Sequence, residues 1–179
     1  MILKIINDLK TNVPANLLNH ILSVTLTAYD LAIFYNVNEY DCIIAALLHD
    51  FVKKNDLDYG MIKDEDKSKY LEENKEIWHG YIASYLAKEK YNIDNLKIIE
   101  AIKYHTTGCK DMNDVGKILF IADTIEPLRN FEGIDYLQKK EKTLDEHFIK
   151  VVKHSLKYLE EKQIIIGPDT KEMKKQLNI

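Results

Sequence analysis

The stretch IIAALLHDFVKK, residues 43–54, runs six apolar residues into His49 and Asp50, then returns to Phe51 and Val52 before two lysines. A segment this apolar reads as a buried helix, and burying an ionised carboxylate is costly unless a partner compensates it. Asp50 therefore calls for a cation, a network of donors or a metal, and the rest of the chain has to supply it.

Outward from this stretch, helical spacing dominates. The helix that carries it spans about residues 39–53. Pro14 suits the first turn of a preceding helix that runs to Tyr35, with Val13, Leu17, Val24 and Leu31 on one stripe. Residues 53–76 are polar and read as a connection containing a short exposed helix. Further helices are expected over 79–90, 94–105 and 113–126, the last stopped by Pro127. Thr143 with Glu146 makes a capping-box start for a final long helix to Lys162. QIIIG, residues 163–167, is the one compact β-branched run outside helical periodicity, ended by Gly167-Pro168. No repeat, low-complexity tract or linker interrupts the chain. The expectation is a single domain over 1–179, all-α, a compact helical bundle of irregular crossing angles, since no heptad pattern persists.

Composition narrows the function. The 179 residues are 46% hydrophobic and 30% charged, ordinary for a globular chain, and the formal net charge of -4 argues against nucleic acid and membrane surfaces as partners. MILKIINDLK has too short an apolar run for a signal peptide, and no stretch is expected to provide the ~20 apolar residues of a membrane span. A cytoplasmic protein is expected, with Cys42 and Cys109 as reduced thiols. Arg129 is the single arginine among 25 basic residues, which marks it where a planar fork matters.

Periodicity sorts the six histidines. His20 falls on the apolar stripe of its helix, as does His105, while His49 ends an apolar run and His79 follows Trp78 at a helix start. His147 and His154 share a stripe with Lys150, Lys157 and Glu161 and read as solvent-facing. Asp123 lies on an apolar face with Leu119 and Phe120; Glu126 is a weaker candidate because a helix end can expose it. One buried histidine is ordinarily hydrogen-bonded within the core. Four, with two acids on separate helices, would each need a partner, and shared metal ions satisfy all six. Imidazole and carboxylate without thiolate suit iron, manganese or zinc. Six ligands exceed what one catalytic ion takes while keeping positions open for water, so two ions bridged by Asp50 are expected, a combination suited to attack of water on phosphorus. GxxxxGK, GxSxG and GxGxxG motifs are absent.

The ordered set His20, His49-Asp50, His79, His105 and Asp123 resembles that of the HD-domain metal-dependent phosphohydrolases. The stretches LLHDFVK, EIWHGYIASYLAKE, AIKYHTTG, KILFIADTIEPLRNFEG and GPDT are similar to the YqeK family within them, over about residues 17–170. The resemblance implies an HD-type helical fold and symmetrical hydrolysis of diadenosine tetraphosphate to two ADP. It also implies two metal ions, divalent or mixed-valence, with iron as the expected metal. His20, His49, Asp50 and Asp123 would surround one ion, and Asp50, His79 and His105 the other. Asp50 and Lys53 would serve catalysis, and Lys53, Thr106, Thr107, Gly108 and Arg129 would line the phosphate path. The chain departs from the family pattern at Leu17 and at Cys109-Lys110, where arginine or Arg-Pro is usual, and at His154. Lys103 or Lys110 would then replace the missing basic contacts. The partner implied is a small-molecule nucleotide, and a homodimer is compatible with the sequence. Two alternatives stay open: an HD-type enzyme acting on another nucleotide, and a non-catalytic nucleotide-binding module.

Overall fold

Side chains at the helix boundaries set most of the architecture. In the computed structural model, which describes residues 1–179, Pro14 precedes α2 (Ala15–Tyr35), and Asn36 ends it in the left-handed conformation. α1 (Ile2–Asn12) comes before it. Asn38 caps α3 (Glu39–Leu48) by accepting the Asp41 N–H at 2.9 Å. Ser68 caps the short α4 (Lys69–Glu73), and Asn92 ends α5 (Trp78–Tyr91) in the left-handed conformation. Asn95 and Asn113 cap α6 (Leu96–Tyr104) and α7 (Asp114–Ile125). α8 (Ile134–Gln138), α9 (Leu144–Glu161) and α10 (Pro168–Leu177) complete the chain. Each Asn or Ser cap supplies an acceptor that satisfies an otherwise orphaned N–H. Both bonds of the capping box between Thr143 and Glu146 are formed.

The fold is all-α, as the periodicity implies. α2 packs on α3 and α7, α6 lies between α5 and α7, and α9 covers the far side of α7. Ile21, Val24, Leu47, Leu48, Ile102, Leu119, Ile121 and Val151 fill the core between them. By length and composition α2 could cross a membrane, which corrects the expectation that no stretch is apolar enough. Leu17, Ile21, Val24, Ala28, Leu31 and Ala32 of this helix are instead buried against its neighbours.

Four further differences have physical causes. The helix expected to reach residue 53 stops at Leu48, and the chain continues in turns with i→i+3 bonds from Phe51, Lys53 and Asn55. This tighter winding turns His49 and Asp50 into the interior. The connection over 53–76 is less free than its polarity suggests: Ile62, Leu71, Trp78 and Tyr81 form a small apolar cluster, and the Trp78 indole donates to the Leu71 carbonyl at 2.6 Å. QIIIG forms no strand, because no second strand exists to pair with it. α1, α8 and α10 add short amphipathic layers beyond the expected helices.

Candidate metal centre

Four helices deliver candidate ligands to one interior point. His49 and Asp50 follow α3 and are fully buried, His79 opens α5, His105 closes α6, and His20 projects from α2. The His49 Nδ1–H donates to the Ala46 carbonyl at 2.6 Å, and the His105 Nδ1–H to that of Ile102 at 2.7 Å. These bonds fix the tautomers and turn both Nε2 lone pairs inward.

Asp50 stands at the centre. Its Oδ2 lies 3.6 Å from the Nε2 atoms of both His20 and His49, and its Oδ1 lies 3.2 Å from His79 Nε2 and 3.5 Å from His105 Nε2. Two triads thus share one carboxylate, one oxygen facing each: His20, His49 and Asp50, then Asp50, His79 and His105, with ligand atoms in each triad within 4.8 Å of one another. Asp123 adjoins the first, its Oδ1 at 3.1 Å from His20 Nε2.

The chemistry of this donor set fits metal. Lone pairs face lone pairs: His49 Nε2, His20 Nε2 and Asp50 Oδ1 are buried without a hydrogen-bond partner. Such orphans would cost about 1–3 kcal/mol each in a closed core. A cation between them removes the conflict, and two triads around a shared carboxylate suit two cations. Protonation is consistent with that role. Burial pushes His49 down to about 4 and lowers His79, keeping both imidazoles neutral. Burial opposes ionisation of Asp50 and Asp123. The surrounding imidazoles outweigh it and hold both below the ordinary carboxylate range, with His49 set against Asp50 and His20 Nε2 3.1 Å from Asp123.

Two cations rim the cup. The Lys53 ammonium is 2.7 Å from Asp50 Oδ2; Arg129 donates through Nη2 to Asp123 Oδ1 at 2.8 Å and through Nε to the Asp123 carbonyl at 3.0 Å. Both side chains keep an exposed portion. The Thr106 hydroxyl lies 3.1 Å from His105 Nε2. Thr107 and Gly108 instead seat α10: the Thr107 carbonyl accepts the Thr170 hydroxyl at 2.8 Å, and Gly108, at φ 63°, lies so close to Met173 that a Cβ would collide with its Sδ. Lys103 is drawn away from the ligands. It is paired with Asp66, its ammonium 5.1 Å from the Tyr81 ring and 5.4 Å from the Tyr104 ring.

Glu126 is closer to the centre than its helix-end position suggests. It is 1% exposed, and it accepts from His20 Nδ1 at 3.2 Å, the Ser23 hydroxyl at 2.7 Å and the Leu128 N–H at 2.6 Å. Its signal in the sequence is the i, i+3 spacing to Asp123, which places both acids on one helix face. The expectation for the last helix requires correction. His147 is fully buried, with Nε2–H donating to the Leu137 carbonyl at 2.8 Å and Nδ1 2.9 Å from the Tyr35 hydroxyl. Lys150 is also buried, bonded to Glu141 and to the carbonyls of Tyr136 and Lys139. His154 is half-buried and stacks on Phe131 at 5.0 Å between ring centroids. Lys157 and Glu161 are the exposed remainder of that stripe.

Residues 17–128 match the HD domain family. A Bacillus subtilis protein named bis(5'-nucleosyl)-tetraphosphatase, symmetrical, is 31% identical over 84% of this chain and 83% of its own. The protein of that name from Staphylococcus aureus is 33% identical over 88% and 84%. The crystal structure of a Clostridium acetobutylicum protein, titled a predicted HD superfamily hydrolase involved in NAD metabolism, superposes with a TM-score of 0.89 at 31% identity. It covers 98% of this chain and 95% of that one.

Proposed function

Because the chain belongs to the HD domain family, we propose that it is a metal-dependent phosphohydrolase that cleaves diadenosine tetraphosphate symmetrically into two ADP. The observation that carries this reading is the pair of ligand triads sharing Asp50. Relatives named for symmetrical tetraphosphate hydrolysis, matched over 83% and 84% of their own length, support the choice of substrate.

His20, His49, Asp50 and Asp123 would hold one ion, and Asp50, His79 and His105 the other. Iron is the metal proposed from the family resemblance, within a donor set that manganese and zinc share. Bound there, two such ions supply an activated water and positive charge to offset the charge that develops on phosphorus.

The protein's own groups then position the substrate. Asp50, held ionised and buried, keeps the two ligand sets in register. Arg129 uses two of its N–H groups on Asp123 and retains others for phosphate oxygens, a recognition suited to a planar guanidinium. Lys53 contributes a second cation at Asp50 Oδ2, and the Thr106 hydroxyl a neutral donor beside His105. The reaction adds water to one central phosphorus as its bond to the bridging oxygen breaks, so that each product is ADP. With Lys103 tied to Asp66, the phosphate contacts proposed for the resting enzyme are Lys53, Thr106 and Arg129, while Thr107 and Gly108 shape the loop that carries Thr106.

Protein purified without oxygen and incubated with diadenosine tetraphosphate should release ADP as sole product and contain two ions per chain. AMP with ATP, or free phosphate, would overturn symmetrical cleavage; bound but unconsumed nucleotide would make this a binding module.

A further inference from the structure

α10 lies far along the chain from every candidate ligand, yet it rests on the turn that leaves His105. Residues 106–113 form neither helix nor strand, and Gly108 and Asp111 among them are left-handed, at φ 63° and 54°. The Gly108 N–H returns to the Tyr104 carbonyl at 2.8 Å, but the Thr107 carbonyl receives no backbone N–H. Such a turn needs partners from elsewhere. Three residues of α10, spaced i, i+3 and i+6, supply them from one side of the helix. The Thr170 hydroxyl donates to the Thr107 carbonyl at 2.8 Å, and buried Met173 covers Gly108. Gln176 accepts the Asp111 N–H at 2.8 Å and donates to the Asp111 carboxylate at 2.6 Å.

α5 presses on the other side. Gly80, between His79 and Tyr81, leaves no room for a Cβ against the carbonyls of Ile102 and Lys103, and across this close approach His79 Nε2 stands 3.0 Å from His105 Nε2. The Tyr81 hydroxyl in turn reaches Asp169, in the first turn of α10, at 3.4 Å. α10 therefore joins the segments that carry His79 and His105 without bonding to either imidazole. His20, His49 and Asp123 lie on segments to which α10 makes no hydrogen bond.

We propose that α10 is a positioning element for one half of the metal centre: Thr170, with Gln176 behind it, fixes the turn that aims His105 Nε2 and the Thr106 hydroxyl at the ion His79 and His105 would share. The inference rests on the metal-dependent reading of the site. It makes Thr170 a positioning residue, acting through the Thr107 carbonyl two residues beyond a ligand. Supporting groups of this kind orient a ligand and so set the affinity of its ion.

The test uses Thr170→Val, which keeps the side-chain shape and removes the donor, beside Thr170→Ser, which restores it. Apo-protein is titrated with cobalt, whose spectrum follows each ion, and melting temperature reports the fold. Thr170→Val should weaken the His79–His105 ion by about tenfold and leave the ion at His20 within about twofold; Thr170→Ser should bind both like wild type. Gln176→Ala, at an exposed position, should weaken the same ion by a smaller factor, and Lys175→Ala on the same helix should change neither. Unchanged cobalt affinities in folded Thr170→Val protein overturn the proposal. Equal weakening of both ions does so too, since a lowered melting temperature alone would produce it. Failure of the hydrolase reading looks different: wild-type protein would bind two cobalt ions and leave diadenosine tetraphosphate intact, and the same titration would still decide the role of α10. Wild-type protein that takes up no cobalt overturns both.

Discussion

Replacing Glu126 by glutamine is the sharpest probe of the metal centre, because it keeps the volume and removes one acceptor. In the native protein Oε1 faces His20 Nδ1, and Oε2 accepts both the Ser23 hydroxyl and the Leu128 N–H. Glutamine has one oxygen for these two places. If the amide nitrogen faces His20, the imidazole must give up its Nδ1 proton and carry one on Nε2, on the side where Asp50 and Asp123 lie. If the nitrogen takes the other place, it confronts the Leu128 N–H. Either way a hydrogen bond to a charged acceptor is lost, about 1.5–3 kcal/mol. That loss corresponds to a fall of about 10–100-fold in affinity for the ion that His20 would hold. The ion between His79 and His105 should be retained, since neither touches Glu126. Titration of apo-protein with metal, read by a bound spectroscopic ion such as cobalt, should resolve one weakened and one unchanged site. Equal affinities in Glu126→Gln and wild type, or equal weakening of both sites, would refute the coupling of Glu126 to His20.

Other perturbations separate site from scaffold. His79→Ala should abolish turnover and lower bound metal, whereas Lys157→Ala on exposed α9 surface should change neither; equal losses in activity assays would dissolve the ligand assignment. His147 is held below its ordinary value of 6.5 by burial, so the unfolded chain binds the extra proton first and stability falls as pH drops below that value. Urea unfolding of His147→Gln should therefore show a shallower loss between neutral and acid pH than wild type, although its stability at neutral pH is lower. Gly108→Ala should cost roughly 3 kcal/mol, about 1 from the left-handed backbone and about 2 from displacing Met173. Denaturant midpoints test that value, and a neutral substitution would refute the close approach of α10.

The fold was legible where a helix buries a full stripe between recognisable caps. α2, α3, α5, α6, α7 and α9 each combine apolar spacing with an Asn, Thr or Pro boundary, and the sequence locates their ends within a few residues except the C-terminal end of α3. α8 and α10 were not legible, because α8 buries only Leu137 and α10 only Thr170 and Met173. Their helicity depends on what they rest against. The run QIIIG failed for the opposite reason: its composition favours a strand, but strands need partners and the chain offers none. The early stop of α3 was equally hidden, since six apolar residues do not reveal that the next turn winds more tightly to aim His49 and Asp50.

Within the site, periodicity found the inward histidines but could not tell a ligand from a structural imidazole. His49 and His147 are both fully buried and both have depressed pKa values, so neither burial nor protonation separates them. Hydrogen-bond closure does. Both nitrogens of His147 find protein partners, the Leu137 carbonyl and the Tyr35 hydroxyl, and with Lys150 it ties α8 and the segment after it to α9. His49 closes one nitrogen on Ala46 and presents the other to Asp50, an acceptor facing an acceptor. The partners of His147 lie in segments whose arrangement no local spacing encodes, which is why helical periodicity alone puts it on the solvent side. Glu126 follows the same logic in reverse: its acceptors are all filled by donors on α2 and the following turn, so it serves the centre by orienting His20 rather than by offering another ligand. What marks the metal centre is therefore the set of buried lone pairs that the protein itself leaves without hydrogens.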